Sequence, residues 1–435
     1  MLRGFMTKKR IVVTGIGCLS SLGIGKELLW RGLLNKHPNY VLEKYFIEDI
    51  FIGEFYKFKI KNFNINKFNI DRSRLDEVES WNGNSENYDL YYLAAAISLA
   101  LQDAQFKTND YAHASLILAH ENPGLEYFCE NLVRNIFKLK GKTFDKIFCN
   151  FFKLGNRAAY ETQGFMFLYH LSKLFEIHGQ SLIINNACSS GLYAIETAAN
   201  LIRSGRANIA IVGASDNPGI FKQFWLKEAG LYAEDGRIKP FAKKRNGFVL
   251  GDGASALILE DFVYAKKRNA YIYADYLGGG FNQEAWKVSS PCITASFYYE
   301  AITQALANAD LRIEQIDLIN AHGVVTNTSD FYEAESFLKL FKNRKLKKPM
   351  INALKPYLGH NLGGSSLLEL AISLISLEKG VILPIVNTEE VDSVLSSNFV
   401  IDKIKMAPIK NILKSCCGFG GFNGAVVFQK TKDFS

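Results

Sequence analysis

No stretch of about 18 uninterrupted apolar residues occurs in the 435-residue chain, which leaves no candidate for a membrane-crossing helix. There is also no Cys-x-x-Cys pair and no Cys/His spacing of the zinc-binding kind, so no metal is expected. The seven cysteines are odd in number and scattered, which argues against a disulfide framework. Adjacent Cys416-Cys417 are expected as free thiols in a cytoplasmic setting. The opening Met-Leu-Arg-Gly-Phe-Met-Thr-Lys-Lys-Arg carries charge without the apolar core of a signal peptide. No Pro/Gly/Ser linker or low-complexity tail divides the chain, so its parts are expected to pack as one unit.

What is present allows a large core: 48 % of residues are hydrophobic, and the length alone suggests two or three units. The net charge of +8 invites an acidic partner. Lys57-Phe-Lys-Ile-Lys61 alternates charged and apolar residues and reads as a half-buried edge strand rather than a nucleic-acid patch. Lys342-Asn-Arg-Lys-Leu-Lys-Lys348, after a helix expected over Asp330 to Phe341, reads as a solvated loop. Nucleic acid is therefore not an expected partner. Gly251-Asp-Gly253, Gly278-Gly-Gly280 and Gly418-Phe-Gly-Gly421 are not dinucleotide loops, because Gly424 leads into a strand at Ala425 to Gln429 rather than into a helix. They are expected to allow tight turns and close backbone approach near the site.

Three reactive side chains sit at matching breaks in the pattern. Cys188 lies in Ile-Ile-Asn-Asn-Ala-Cys-Ser-Ser-Gly, where a short buried strand, Ser181 to Ile184, gives way to a helix. Leu192, Ile195, Ala199 and Ile202 recur at helical spacing until Ser204-Gly205, and a second strand, Ile209 to Gly213, follows. Strand, sharp turn and helix present a nucleophile at the tip of a sheet. A thiol at a helix N-terminus is further expected to favour thiolate. His322 follows an apolar run from about Ile316. His360 stands in Gly-His-Asn-Leu-Gly-Gly, just before a helix expected over Ser365 to Glu378 and closed by Lys379-Gly380. Such glycine-flanked turns are where open α/β architectures keep their chemistry. Lys355 and Glu369 add a candidate buried ion pair.

Ala-Cys-Ser-Ser-Gly around Cys188, Ala-His-Gly-x-x-Thr around His322, Lys355…Gly359-His360, and Gly418-Phe-Gly-Gly-Phe-Asn-Gly424 together resemble the signature of β-ketoacyl-acyl-carrier-protein synthases of the elongating Cys-His-His branch. Arg10-Ile-Val-Val-Thr-Gly-Ile-Gly17 and Gly247-Phe-Val-Leu-Gly-Asp-Gly-Ala254 also resemble family segments. The resemblance runs nearly end to end and is weakest between about Asn35 and Arg157. It implies a thiolase-like five-layered α-β-α-β-α fold of two pseudo-duplicated halves, residues 1–262 and 263–435. It also implies a decarboxylative Claisen condensation. Cys188 would accept the acyl chain, and His322 and His360 would stabilise the enolate from a malonyl thioester. The N–H groups of Cys188 and Phe419 would form the oxyanion hole, with the Phe419 ring as a gate. Lys355, paired with Glu369, would orient His360. Asp330 and Glu333 keep an acidic pattern after the histidine loop, and Thr326 would bind the pantetheine arm. No cofactor is implied beyond the phosphopantetheine of an acyl carrier protein, which is the expected partner. The assembly would be a homodimer or a heterodimer with a chain-length-factor-like subunit.

Four positions depart from the family pattern: Val324 replaces a threonine, Cys416-Cys417 replace Ser-Phe, and Ala242 replaces an aspartate. The Cys417 replacement is expected to widen the pocket near Phe419. The divergent region before Arg157, together with Val324 and Cys417, favours a specialised type II polyketide or polyene pathway over housekeeping fatty acid elongation. A non-catalytic chain-length-determining subunit is disfavoured by the presence of Cys188, His322 and His360, and a degradative thiolase by the Gly-His and Gly-Phe-Gly-Gly motifs.

Overall fold

Runs of apolar residues with no polar face must be covered on both sides, and the strand sequences of this chain are of that kind. A computed structural model describes residues 9–431 apart from 48, 82–86, 139–159, 295, 343–346 and 402. Parts of the basic run at 342–348 and parts of the divergent stretch from Asn35 to Arg157 thus lie outside the described residues.

Ten strands form the main path of one twisted sheet: β1 (Ile11–Ser20), β2 (Ser115–Ala119), β3 (Ser181–Ile184), β4 (Ile209–Asp216), β5 (Gly253–Asp261), β6 (Ala274–Gln283), β7 (Leu318–Asn320), β8 (Met350–Asn352), β9 (Asn411–Gly418) and β10 (Phe422–Lys430). The first five run in the order β1-β5-β4-β2-β3 and the second five in the order β6-β10-β9-β7-β8. Each set begins with two antiparallel pairings and ends with two parallel ones. The two halves thus repeat one topology. They join edge to edge where Ile11–Val13 pair antiparallel with Ala274–Tyr276.

Helices α1 (Tyr88–Asp103), α2 (Ser190–Arg203), α3 (Phe297–Asn308), α4 (Asn327–Leu340) and α5 (Ser365–Lys379) complete the layering. α1 covers the outer face of β1, β5 and β4, and α3 covers β6 and β10. Between the sheet halves, α2 touches strands of both, as does α5, and the two helices touch each other. The result is the five-layered α-β-α-β-α thiolase-like arrangement. α5 is buried from Ser365 to Leu377, as a helix sandwiched between sheets should be. Leu192, Ile195, Ala199 and Ile202 are all buried on α2.

Close approach explains the Gly278-Gly-Gly280 run. A Cβ at Gly280 would lie 2.1 Å from the Ala301 carbonyl oxygen of α3, just as one at Gly17 would lie 2.0 Å from the Ala96 oxygen of α1. Those glycines let the outer helices seat in equivalent places, away from the reactive residues, which corrects their expected position near the site.

Two further expectations are refined. β3 is half-buried rather than buried, because it is the edge of the sheet. Lys57 ends the second strand of a hairpin (Val41–Ile47 with Ile50–Lys57) and is buried against Asp252 at 2.8 Å, while Lys59 pairs with Glu43. Two of the three lysines of the run are thus paired with acids of this chain. No helix among the described residues is long and apolar enough to cross a membrane.

Candidate active site

The turn between β3 and α2 holds Cys188. Ala187 adopts φ 49°, a left-handed conformation that costs a non-glycine residue of order 1 kcal/mol. The Asn186 N–H donates to Ser190 Oγ at 2.8 Å, Ser190 Oγ donates to the Ala187 carbonyl at 2.6 Å, and Ser189 Oγ donates to the Phe422 carbonyl at 2.8 Å. These bonds hold the elbow, and Cys188 lines a narrow cleft that it shares with His322, His360 and Phe419.

His322 arrives from the end of β7. Its loop turns through Gly323 and Val325, both at positive φ, and α4 anchors it. The N–H groups of His322 and Gly323 donate to the Glu333 carboxylate at 2.7 and 2.8 Å. Asp330 accepts from the N–H groups of Val325 and Phe241 at 2.8 and 2.7 Å. The acidic residues after the histidine motif are therefore the loop's backbone anchors. Thr326, expected on the pantetheine arm, uses its hydroxyl to cap α4 by accepting the Ser329 N–H at 3.1 Å. Ser329 and Val324 line the cleft.

His360 follows a short helix (Lys355–Leu358) and Gly359, and it precedes α5. Its Nδ1 accepts the Leu362 N–H at 3.1 Å and faces Ser365 Oγ at 2.8 Å. Nδ1 is thus an acceptor, so the ring proton sits on Nε2, which lies 3.3 Å from Cys188 Sγ. The same holds for His322, whose Nδ1 receives the Lys355 ammonium at 3.2 Å. His360 turns its N–H donor towards the thiol, and a ring nitrogen of His322 lies within 4.8 Å of the sulfur, with the ring centroids 5.8 Å apart. Burial, then the Lys355 and Lys414 ammonium groups, pushes both well below the ordinary histidine value, with His360 adding to the effect on His322. They are neutral donors.

Lys355 was expected to orient His360. Instead its ammonium bonds His322 Nδ1, the His322 carbonyl at 2.7 Å and Glu369 at 2.7 Å, because the short helix points its first residue at the β7 loop. Ser365 and Leu362 hold His360. Glu369 also accepts from Lys414 at 2.5 Å, so one buried carboxylate bridges two buried ammonium groups. Lys414 sits among apolar neighbours on β9 and carried no motif.

The thiol itself runs against expectation. Burial raises Cys188 well above the ordinary thiol value, Glu121 and Cys416 add to this, and Lys355 and the Phe419 N–H oppose it. Desolvation outweighs the helix terminus, so the resting group is a thiol. The Phe419 N–H nonetheless points at the sulfur, and its ring meets Trp225 edge-on at 5.8 Å across the cleft. Cys417 lines the same cleft.

Sγ of Cys188 and the nitrogens of His322 and His360 lie within 4.8 Å of one another, as do donor atoms of Asp89, His120 and Asp216. The first set presents Nε2 protons, which suit an oxygen acceptor rather than a cation. In the second, the Lys222 ammonium already bonds Asp216. Neither donor set fits a metal.

Residues 158–262 match the family described as beta-ketoacyl synthase, N-terminal domain, and residues 273–389 match its C-terminal domain, together about half of the chain. The chain belongs to the β-ketoacyl synthase family. It is an acyl-transferring ketosynthase. It is 27% identical over 441 residues to 3-oxoacyl-[acyl-carrier-protein] synthase 2 of Vibrio harveyi, covering 98% of this chain and 99% of that one. Over 261 residues it is 31% identical to the tetracenomycin polyketide synthase ketoacyl synthase alpha subunit of Streptomyces glaucescens, covering 59% and 61%. Among solved structures it resembles the ishigamide ketosynthase/chain length factor, with a TM-score of 0.85 at 23% identity over 98% of this chain and 100% of that one. That likeness concerns the fold.

Proposed function

We propose that Cys188 carries a growing acyl chain and that His322 and His360 stabilise the enolate that extends it. The observation that carries this is the convergence of one sulfur with two N–H-donating imidazoles. In the first step the Cys188 sulfur attacks the carbonyl of an acyl thioester on a carrier protein, and the carrier thiol leaves. The N–H groups of Cys188 and Phe419 would hold the tetrahedral oxyanion. In the second step a malonyl thioester loses carbon dioxide, and the electron pair moves to its thioester oxygen. The Nε2–H groups of His322 and His360 would donate to that oxygen. The enolate carbon then attacks the acyl-enzyme carbonyl, the carbon–sulfur bond to Cys188 breaks, and the chain, two carbons longer, stays as a thioester on the carrier that brought the malonyl group. Lys355, Glu369, Asp330 and Glu333 act by positioning, and Thr326 through the cap of α4.

The halves divide at residues 262 and 263 in this reading. The partner is an acyl carrier protein, whose docking the +8 charge favours, and the assembly is a homodimer or a pair with a chain-length-factor-like subunit. A solved neighbour of this fold is a type II polyketide synthase acyl-carrier protein in complex with its ketosynthase. The pathway is a specialised polyketide or polyene one, which Val324 and Cys417 in the cleft support. Mass spectrometry of the Cys188 peptide after incubation with acyl-carrier protein tests the proposal. A mass increase equal to the acyl group, absent in Cys188→Ala, is expected. Acyl transfer and condensation undiminished in Cys188→Ala would overturn it.

A further inference from the structure

A thiol must lose its proton before it attacks, and the two histidines offer no place to put it. The lone pair of His360 is taken by the Leu362 N–H and that of His322 by the Lys355 ammonium, while both Nε2 atoms already carry a proton. Among the described residues, one carboxylate is within hydrogen-bonding reach of the sulfur. Glu121 Oε1 lies 3.8 Å from Cys188 Sγ, and Glu121 lines the same cleft as Cys188, His322 and His360.

Its placement is built rather than incidental. Glu121 stands two residues past β2, at the sheet edge that also delivers Cys188 from β3. Its carbonyl accepts Asn185 Nδ2 at 2.6 Å, tying it to the nucleophile's own turn. The preceding His120 is buried, with its N–H on the Ile184 carbonyl at 3.2 Å and its Nε2 on Asp89 at 2.7 Å. From the turn that precedes α5 (Leu362–Gly364), the backbone at Gly363 closes over it, leaving a Cβ there 2.8 Å from the Glu121 nitrogen.

We propose that Glu121 is a catalytic residue that takes the Cys188 thiol proton during acylation and gives it to the departing carrier thiol. This rests on the ketosynthase reading of the site. The step balances: the S–H bond breaks as the carboxylate gains the proton, the sulfur–carbonyl bond forms, the carrier's carbon–sulfur bond breaks, and the carboxylic acid returns the proton to the carrier sulfur. No oxidant, metal or cofactor enters. The electrostatic surroundings suit the role. Burial, then Asp216, pushes Glu121 up to about 7, opposed by Lys222, His120 and Cys188. A carboxyl group in that range exchanges a proton in both directions near neutral pH.

Opposite signs separate this from a passive charge. Glu121 as a bystander anion only raises the thiol's pKa, so Glu121→Gln would then speed attack by Cys188. As the proton acceptor, its loss slows attack. The test is the rate of Cys188 modification, read by mass spectrometry from pH 5.5 to 8.5, with iodoacetamide and with hexanoyl-pantetheine as separate probes. Wild-type rates are expected to rise through an inflection near 7. Glu121→Gln should be roughly 10²-fold slower at pH 7 without that inflection, and Glu121→Asp should recover part of the rate. Alkylation of Glu121→Gln at or above the wild-type rate overturns the assignment. If that variant does not fold, a wild-type profile flat through pH 7 overturns it equally. Alkylation that follows the inflection while no acyl-thioester ever labels Cys188 would sink the ketosynthase reading and leave Glu121's role standing.

Discussion

Nε2 of His360 lies 3.3 Å from Sγ of Cys188, across 172 residues of chain, with the other ring nitrogen occupied from behind by Leu362 and Ser365. The imidazole therefore offers a proton to whatever is bound at the sulfur and has no lone pair free to accept one. This relationship separates the steps of the reaction by residue.

Replacing either histidine should harm condensation more than acylation. His322→Ala and His360→Ala each remove one donor to the enolate oxygen, and loss of one such donor typically costs 10²–10³-fold in rate. Single-turnover acylation of Cys188 should fall far less than carbon dioxide release from malonyl-carrier protein. Equal losses in both assays would show that the imidazoles serve the thiol rather than the enolate.

Glu369 bridges Lys355 and Lys414 with all three side chains buried. Glu369→Gln leaves two ammonium groups without a counter-charge, and an uncompensated buried charge costs about 3–5 kcal/mol. Urea denaturation should show a loss of that order, with partial recovery when Lys414→Met is added. An unchanged midpoint would mean that the ammonium groups find other partners.

Gly191 marks where α2 crosses α5. A Cβ there would lie 2.7 Å from the Leu367 nitrogen and 2.8 Å from Ser366 Oγ. Gly191→Ala must push the helix that begins beside Cys188 away from the one that begins beside His360. Overpacking of this kind costs about 1–3 kcal/mol, and turnover should fall more than stability because the sulfur and Nε2 separate. Wild-type turnover in a folded Gly191→Ala would show that the crossing yields elsewhere.

The buried histidines also set a pH dependence of stability. Burial, then Lys355 and Lys414, holds both below the ordinary value in the folded chain, whereas in the unfolded chain they take up protons near 6.5. Above that pH neither contributes. Below it the unfolded state binds more protons, so stability falls with acid by up to about 2 kcal/mol per histidine between pH 6.5 and 5. His322→Ala/His360→Ala should lose less stability than wild type over this range, read as urea midpoints at pH 7.5 and 5. Parallel losses would place the acid sensitivity in other groups.

Much of this was legible in the chain itself. The apolar spacing of Leu192 to Ile202 and the glycine stop at Gly380 marked α2 and α5 to within a residue or so, because local periodicity and capping set those ends. Cys188, His322 and His360 announced themselves by standing on turns between such elements. The topological repeat was faint because β7 and β8 are three residues long and carry little pattern. Glu121, Ser365 and Lys414 were missed for a different reason. Their meaning comes from what faces them across the fold, and a lysine on a strand or an acid after one reads locally as surface. Lys355 shows the same limit: it stands five positions from His360 in the chain, yet it bonds the more distant His322. The resting state of the thiol also escaped, since desolvation depends on the finished packing and not on position before a helix.

The edge-to-edge seam at Ile11–Val13 and Ala274–Tyr276 has one more implication. β3 delivers the sulfur from one topological repeat, while β7 and β8 deliver both imidazoles from the other, so neither repeat owns a complete set of reacting atoms. Carbon–carbon bond formation thereby reports on the registry between repeats. A slip along that junction of a fraction of an ångström would silence the enzyme while every strand and helix stayed intact.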